Sequence, residues 1–202
     1  MKLVVASLNP DKLAELQQLL ALPGVALESL RDVPGARPPE EHGATLLDNA
    51  RIKARAAVEL TGLPAIADDT GLEVEALGGR PGVHAARFAG PGASYASNRA
   101  RLLAELANVP AERRAARFRT VCVARWPDGR EVVAEGVLDG RIAERPRGEG
   151  GFGYDSVFEL PEQGRTLAEL SAADKNRLSH RARAVRNLSA SLQEMLAGPH
   201  PH

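Results

Sequence analysis

Residues 2–6, Lys-Leu-Val-Val-Ala, form a short β-branched apolar run that breaks at Asn9-Pro10 and hands over to a helical pattern. In that pattern Leu13, Leu16, Leu19 and Leu20 recur at spacings of three and four, on one helix face. The first run has the length and side chains of a buried strand, so the chain opens as an α/β protein. Its 202 residues suffice for one α/β domain with a sizeable core, split or not into two lobes.

Further elements follow from the same rules. A second strand is expected at 25–30, a loop at 31–43, and a helix from Ala44 to Thr61, with Leu47, Ala50 and Ala54 in step, ended by Gly62 and Pro64. Residues 64–68 and 72–77 read as two strands flanking an Asp-Thr-Gly turn. Residues 78–92 are glycine-rich and irregular, and a helix over 94–107 starts at Ser94. The stretch 117–143 is β-rich and folds back at Pro127-Asp128-Gly129, a hairpin sequence. A glycine cluster at 148–153 precedes Tyr-Asp-Ser-Val-Phe-Glu-Leu, which reads as strand. The last helix runs from Ser179, with Ala182, Val185, Leu188, Leu192 and Leu196 on its buried face, and ends at Gly198. No internal repeat or long linker divides the chain, so residues 1–197 are expected to be one domain and 198–202 a frayed tail.

Composition removes several functions. Twenty-six basic and 26 acidic side chains balance, and aromatics are only 3%, which argues against nucleic acid as a partner. One cysteine, Cys122, excludes an internal disulfide or a Cys-rich zinc site. The amino terminus turns polar too soon for a signal peptide or a membrane span, so a cytoplasmic address is expected, with no membrane partner. Only four of the basic residues are lysine (Lys2, Lys12, Lys53 and Lys175), the rest arginine. A chain so biased keeps lysine where a compact ammonium is needed, or by chance.

Five segments carry candidate chemistry. Ser7-Leu8-Asn9-Pro10-Asp11-Lys12 joins a strand to a helix, where exposed amides, the helix amino terminus and the Lys12 charge suit phosphate; an ordinary capped turn is the alternative. Asp68 and Asp69 place two carboxylates together, which is costly unless a cation or hydrogen bonds hold them. Hard oxygen ligands of this kind suit Mg²⁺. Strand neighbours point to opposite faces, so only one of the pair faces a ligand. Glu40 or Glu41 can complete a metal shell, or both are solvated charges near a helix start. Gly148, Gly150 and Gly153 fit G-x-G-x-x-G, but the following strand-like segment and late position do not fit a dinucleotide fingerprint. A loop offering Phe152 for stacking and Asp155 to a base edge fits better. Finally, Ser179 caps the last helix and puts His180 and Arg181 on its first turn, where cations oppose the helix dipole and suggest a negative ligand.

Taken together and in order, these segments resemble the inosine triphosphate pyrophosphatase family, the non-standard purine nucleoside triphosphate pyrophosphatases. The matching stretches are SLNPDK, EEHGATLLDNARIKA, ADDTGLEVEALGGRPGVHAARF, GGFGYDSVF and DKNRLSHRARA, and three of the four lysines lie inside them. The resemblance implies an α/β fold with an elongated mixed β-sheet flanked by helices, and two lobes with a nucleotide cleft between them. It implies hydrolysis of ITP, dITP and XTP to monophosphate and pyrophosphate, Mg²⁺ dependence and a homodimer. By resemblance, the loop Ser7, Leu8, Asn9, Pro10, Asp11 and Lys12 holds the triphosphate. Asp69 activates water and contacts the metal, Asp68 supports it, Glu40 or Glu41 joins the metal shell, and Thr70 touches substrate. Phe152, Gly153, Tyr154, Asp155, Lys175, His180 and Arg181 form the purine end. Ser7 stands where threonine is common in the family and Leu8 where a small residue is common. Two rivals are a Maf-type pyrophosphatase, against which GGFGYD and SHR argue, and a non-catalytic nucleotide sensor, against which the Asp68-Asp69 pair argues.

Overall fold

The computed structural model describes residues 2–20 and 23–197. Strand β1 (Lys2–Val5) leads into α1 (Pro10–Leu19). Asn9 stops the strand and starts the helix: its Oδ1 accepts from the Asp11 and Lys12 amides at 2.9 and 3.3 Å, and Pro10 supplies a preset first helical turn. Strand β2 (Ala26–Ser29) returns beside β1 in parallel. Helix α2 (Leu46–Thr61) begins with a capping box, in which Thr45 and Asp48 exchange side-chain and backbone bonds, and Gly62 closes it. Its buried face, Leu46, Asn49, Ala50, Ala54, Ala57 and Val58, explains the alanine-rich pattern.

Strand β3 (Ala65–Val74) overturns one expectation. Residues 64–68 and 72–77 are not two strands about an Asp-Thr-Gly turn; the strand runs straight through, and residues 75–77 form a 3-10 turn after it. A turn would let water solvate Asp68 and Asp69. Both are instead buried, one on each side of the strand, against cations that only the tertiary fold supplies.

The short β4 (Pro81–Gly82) pairs antiparallel with β3, and α3 (Tyr95–Glu105) follows its Ser94 cap. β5 (Ala115–Arg125) and β6 (Glu131–Ile142) are hydrogen-bonded neighbours joined by residues 126–130. That connection is too short for a parallel crossover, so the expected hairpin forms. Beyond β7 (Phe158–Leu160) and β8 (Arg165–Thr166) come α4 (Ala172–Leu178) and α5 (His180–Ala197). The eight strands among the described residues run in the order β2-β1-β3-β5-β6-β7-β8, with β4 on β3, and pair both ways, so the sheet is mixed.

Two further expectations needed correction. Tyr154 to Leu160 is not all strand: only its last three residues are, because Asp155 accepts from the Phe152 amide at 2.8 Å and winds 152–157 into consecutive turns. Helix α4 falls where no helix was expected, and it rests on Ser171, whose Oγ accepts from the Asp174 amide. In α5, Ala182, Val185, Leu188 and Leu192 are buried as the periodicity requires. The Leu196 side chain, Gly198 and the tail 198–202 lie outside the described residues.

The chain forms two compact units, each with its own apolar core. Among the described residues, the first comprises 2–20, 23–69, 120–136 and 181–197, and packs Leu3, Val5, Leu16, Ile66, Trp126 and Leu188 together. The second comprises residues 70–119 and 137–180, with Leu72, Phe88, Leu102, Phe118, Tyr154 and Phe158 at its centre.

Candidate functional site

In the first unit, charge gathers around β3. Asp68 is 2% exposed. Its Oδ2 meets Lys12 Nζ at 3.1 Å and accepts from Arg181 Nε and Nη2, each at 3.2 Å. Arg181 also donates to Glu15 of α1. Burial alone would raise the Asp68 pKa; Lys12, Arg181 and Lys53 outweigh it and hold the carboxyl well below the usual range. The same burial lowers the Lys12 pKa, opposed by Asp68 and reinforced by Lys53 and Arg181. The side chain of Lys12 is 19% exposed and that of Arg181 only 3%. Lys12 is therefore the cation of this group that reaches outward, while Arg181 is sealed against its two carboxylates.

Asp69, on the other side of β3, faces α2. Lys53 Nζ donates to its Oδ1 at 2.6 Å and lies 3.6 Å from Glu41, and Asn49 Nδ2 donates to Oδ2 at 3.4 Å. Burial lowers the Lys53 pKa, but Asp69, Asp68 and Glu41 outweigh it, so the ammonium is held above its ordinary value. Glu40 is exposed, and among the described residues no group of three or more His, Cys, Asp or Glu gathers for a metal. The loop 7–12 lies between β1 and α1, as its sequence required, with the Asn9 amide donating to Ser7 Oγ at 3.3 Å. Ser7, Leu8, Asn9, Asp11 and Thr70 are half-buried and Pro10 is exposed. Asn9 Oδ1 is engaged in capping α1, so the capped turn weighed for this segment is present.

The second unit gathers a different set. Lys175 on α4 is buried, with Nζ 2.7 Å from Asp155 Oδ2 and 4.7 Å from the centre of the Phe152 ring. Gly151 is required here: it has φ +68°, and a Cβ would fall 2.2 Å from Asp155 Oδ2. The Gly153 carbonyl accepts from Arg99 of α3 at 2.7 Å, and Tyr95, one turn earlier, sets its ring 5.9 Å from that of Phe152. Tyr154 turns inward, donating its hydroxyl to the Ala85 carbonyl at 2.8 Å, and burial pushes its pKa up. His180 is buried with its ring stacked 4.5 Å from that of Phe118.

The Ham1 family model matches residues 3–191 of this chain. This chain belongs to the Ham1 family. Curated relatives agree along the whole length. A dITP/XTP pyrophosphatase of Geobacillus kaustophilus is 49% identical over 197 residues, covering 98% of this chain and 97% of the relative. One from Thermus thermophilus is 47% identical, covering 100% and 95%. Among solved structures, a HAM1 protein from Coxiella burnetii superposes with a TM-score of 0.87 at 40% identity, covering 96% of this chain and 99% of that one. A nucleoside-triphosphatase / dITP/XTP pyrophosphatase from Mycobacterium abscessus gives 0.74 at 48%, covering 97% and 100%. The family resemblance read from the five ordered motifs is borne out.

For this Ham1 chain, the structure brings together Lys12 and Asp68 in one unit, and Phe152, Gly153, Asp155 and Lys175 in the other. Arg181, expected at the purine end, donates from the first turn of α5 to Asp68 and Glu15. Two of the protein's own carboxylates thus face a cation whose place on that turn suggested a negative partner. Lys53, Asn49, Glu15, Tyr95 and Arg99 were not named as site residues. For Lys53 the scarcity of lysine was a usable signal; for the others no local pattern marks the role, because their partners are distant in sequence.

Proposed function

We propose that this chain hydrolyses non-standard purine nucleoside triphosphates, such as ITP, dITP and XTP, to the monophosphate and pyrophosphate. The observation that carries the reading is Asp69: a buried carboxylate held by Lys53 and Asn49 on the strand next to the loop that ends at Lys12. Family membership and the dITP/XTP pyrophosphatase names of its full-length relatives support the same reaction.

In this reading the amides of loop 7–12 and the Lys12 ammonium bind the polyphosphate, and Thr70 contacts substrate. Asp69 orients a water molecule and takes its proton as that oxygen attacks beside the α–β bridge; the bridge then breaks and pyrophosphate leaves. Asp68 keeps Lys12 and Arg181 in place. Glu41 and Asp69 both approach the Lys53 ammonium, and two hard carboxylate donors this close would hold Mg²⁺ beside it. Bound there, Mg²⁺ supplies charge neutralisation and polarises the phosphoryl oxygens. Base recognition falls to Phe152, Gly153, Tyr154, Asp155, Lys175, His180 and Arg181. There a donor aimed at a 6-oxo group rejects adenine, whose amino group cannot accept from it. The family resemblance adds a homodimer, the cytoplasmic address is the one expected from the sequence, and no described helix is long and apolar enough to cross a membrane.

The direct test is release of pyrophosphate from ITP, XTP, dITP, GTP and ATP with Mg²⁺. Turnover of the first three and little of ATP is expected; no pyrophosphate from any of them overturns the reading. Excess chelator is expected to abolish hydrolysis and added Mg²⁺ to restore it, while full turnover in chelator removes the metal from the mechanism.

Lys12→Ala is expected to lose about 10²-fold or more in kcat/KM, since a phosphate-facing ammonium in a partly dry site contributes about 2–4 kcal/mol. Lys12→Arg is also expected to be poor: Arg181 already occupies Asp68, and a planar fork is wider than an ammonium. Steady-state kinetics of both variants check this, and an arginine as good as lysine refutes the compact-pocket argument.

A further inference from the structure

Asn49 lies on the buried face of α2 with no exposed surface, between the acidic loop before that helix and the carboxylate of Asp69. Its Oδ1 accepts from the Gly43 amide at 2.9 Å and its Nδ2 donates to Asp69 Oδ2 at 3.4 Å. Exchanging the two amide atoms would set donor against donor and acceptor against acceptor, so the orientation is unique. Lys53, one helical turn further on, donates to the other Asp69 oxygen at 2.6 Å. Each oxygen of Asp69 is thus held by a different residue on one face of α2.

The loop end of this connection is as constrained as the strand end. A Cβ on Gly43 would lie 2.5 Å from Asn49 Oδ1, 2.6 Å from Asp48 Cβ and 2.8 Å from the Asn49 nitrogen. Any larger residue there would push the loop off the asparagine. Two residues before Gly43, Glu41 reaches Lys53, so the loop and the carboxylate meet α2 at two successive turns.

We propose that Asn49 is a positioning residue for the hydrolysis: it fixes the rotation of the Asp69 carboxylate and ties the Glu41 loop to it, with Gly43 permitting the contact. The inference rests on the reading of Asp69 as the group that activates water. A carboxylate free to rotate still sits beside substrate, but it no longer presents one lone pair to the attacking water. Displacements of about 1 Å in such a geometry cost about 10²-fold in rate. Because Asn49 is fully buried beneath Asp69, its loss should act on kcat and leave KM nearly unchanged.

The test uses two variants at different residues, Asn49→Asp and Gly43→Ala. The first keeps an acceptor for the Gly43 amide and removes the donor to Asp69; the second leaves Asn49 intact and intrudes on its Oδ1. Active sites are counted by titration with a non-hydrolysable ITP analogue, so misfolded protein does not enter the rate. Both variants are expected to show kcat for ITP lowered about 10- to 100-fold per competent site, with KM within about threefold of wild type. A purely structural role would reduce the number of competent sites and leave kcat per site unchanged; that result in both variants overturns the proposal. Failure of wild-type protein to release pyrophosphate from ITP overturns it differently, by removing the reaction that Asp69 is held for.

Discussion

Asp69→Asn is expected to be folded, able to bind an ITP analogue, and nearly inactive. The substitution keeps the size of the side chain but removes the site for the water proton. General-base assistance alone contributes about 10²- to 10⁴-fold, and a weakened metal ligand adds to the loss. Folding should survive because the cation left behind is not stranded: Lys53 retains Glu41 at 3.6 Å. Asp69 is paired with Lys53, so some fall in Tm belongs to the expectation. Single-turnover hydrolysis, analogue binding and a melting curve test the three parts separately. Near-normal turnover by a well-folded Asp69→Asn removes this residue from the mechanism.

Asp68→Asn, one residue earlier, is expected to act first on stability. The carboxylate is buried between Lys12 and Arg181; when it goes, Arg181 keeps its ion pair with Glu15, while Lys12 loses its ion-pair partner and keeps only the field of Asp69. Removing one partner of a buried ion pair costs about 3–5 kcal/mol. For a chain of this size that corresponds to a Tm lower by roughly 6–20 °C. The sign of the pH dependence follows from the lowered pKa of Asp68. A carboxyl depressed on folding contributes stability that is fully present above its unfolded pKa of about 3.9, and that is lost as pH falls below it toward the folded value. The Tm gap between wild type and variant should therefore be constant from neutral pH to about pH 5 and narrow only below about pH 4. Calorimetry across that range tests it; a neutral-pH Tm within about 2 °C of wild type shows that the ion pairs contribute little. Activity is expected to fall as well, because Lys12 loses the group that holds it.

Where structure is written in neighbouring residues, the sequence was legible. The Asn9-Pro10-Asp11 cap, the Gly62 stop, the Pro127-Asp128-Gly129 turn and the periodic face of α5 each act within a turn or two of chain, and each appears as its sequence requires. The order of five motifs was enough for the family. The loop at 7–12 and the opposite facing of Asp68 and Asp69 were also readable, from a strand-to-helix junction and from the two-residue period of a strand. Local reasoning failed where a charge or a turn is balanced from far away. Asp-Thr-Gly looks like a solvated turn until Lys53, 16 residues before Asp69, and Arg181, 113 residues after Asp68, neutralise the carboxylates and let β3 run through. Tyr154-Asp155 looks like strand until Lys175, 20 residues on, meets the Asp155 carboxylate from a helix of its own. The same reason conceals Asn49. By itself, then, the sequence determined the elements whose signals are local, several of their capped ends, and the family. Which cation meets which carboxylate was decided by the tertiary structure alone, because electrostatic compensation acts through space and leaves no period along the chain.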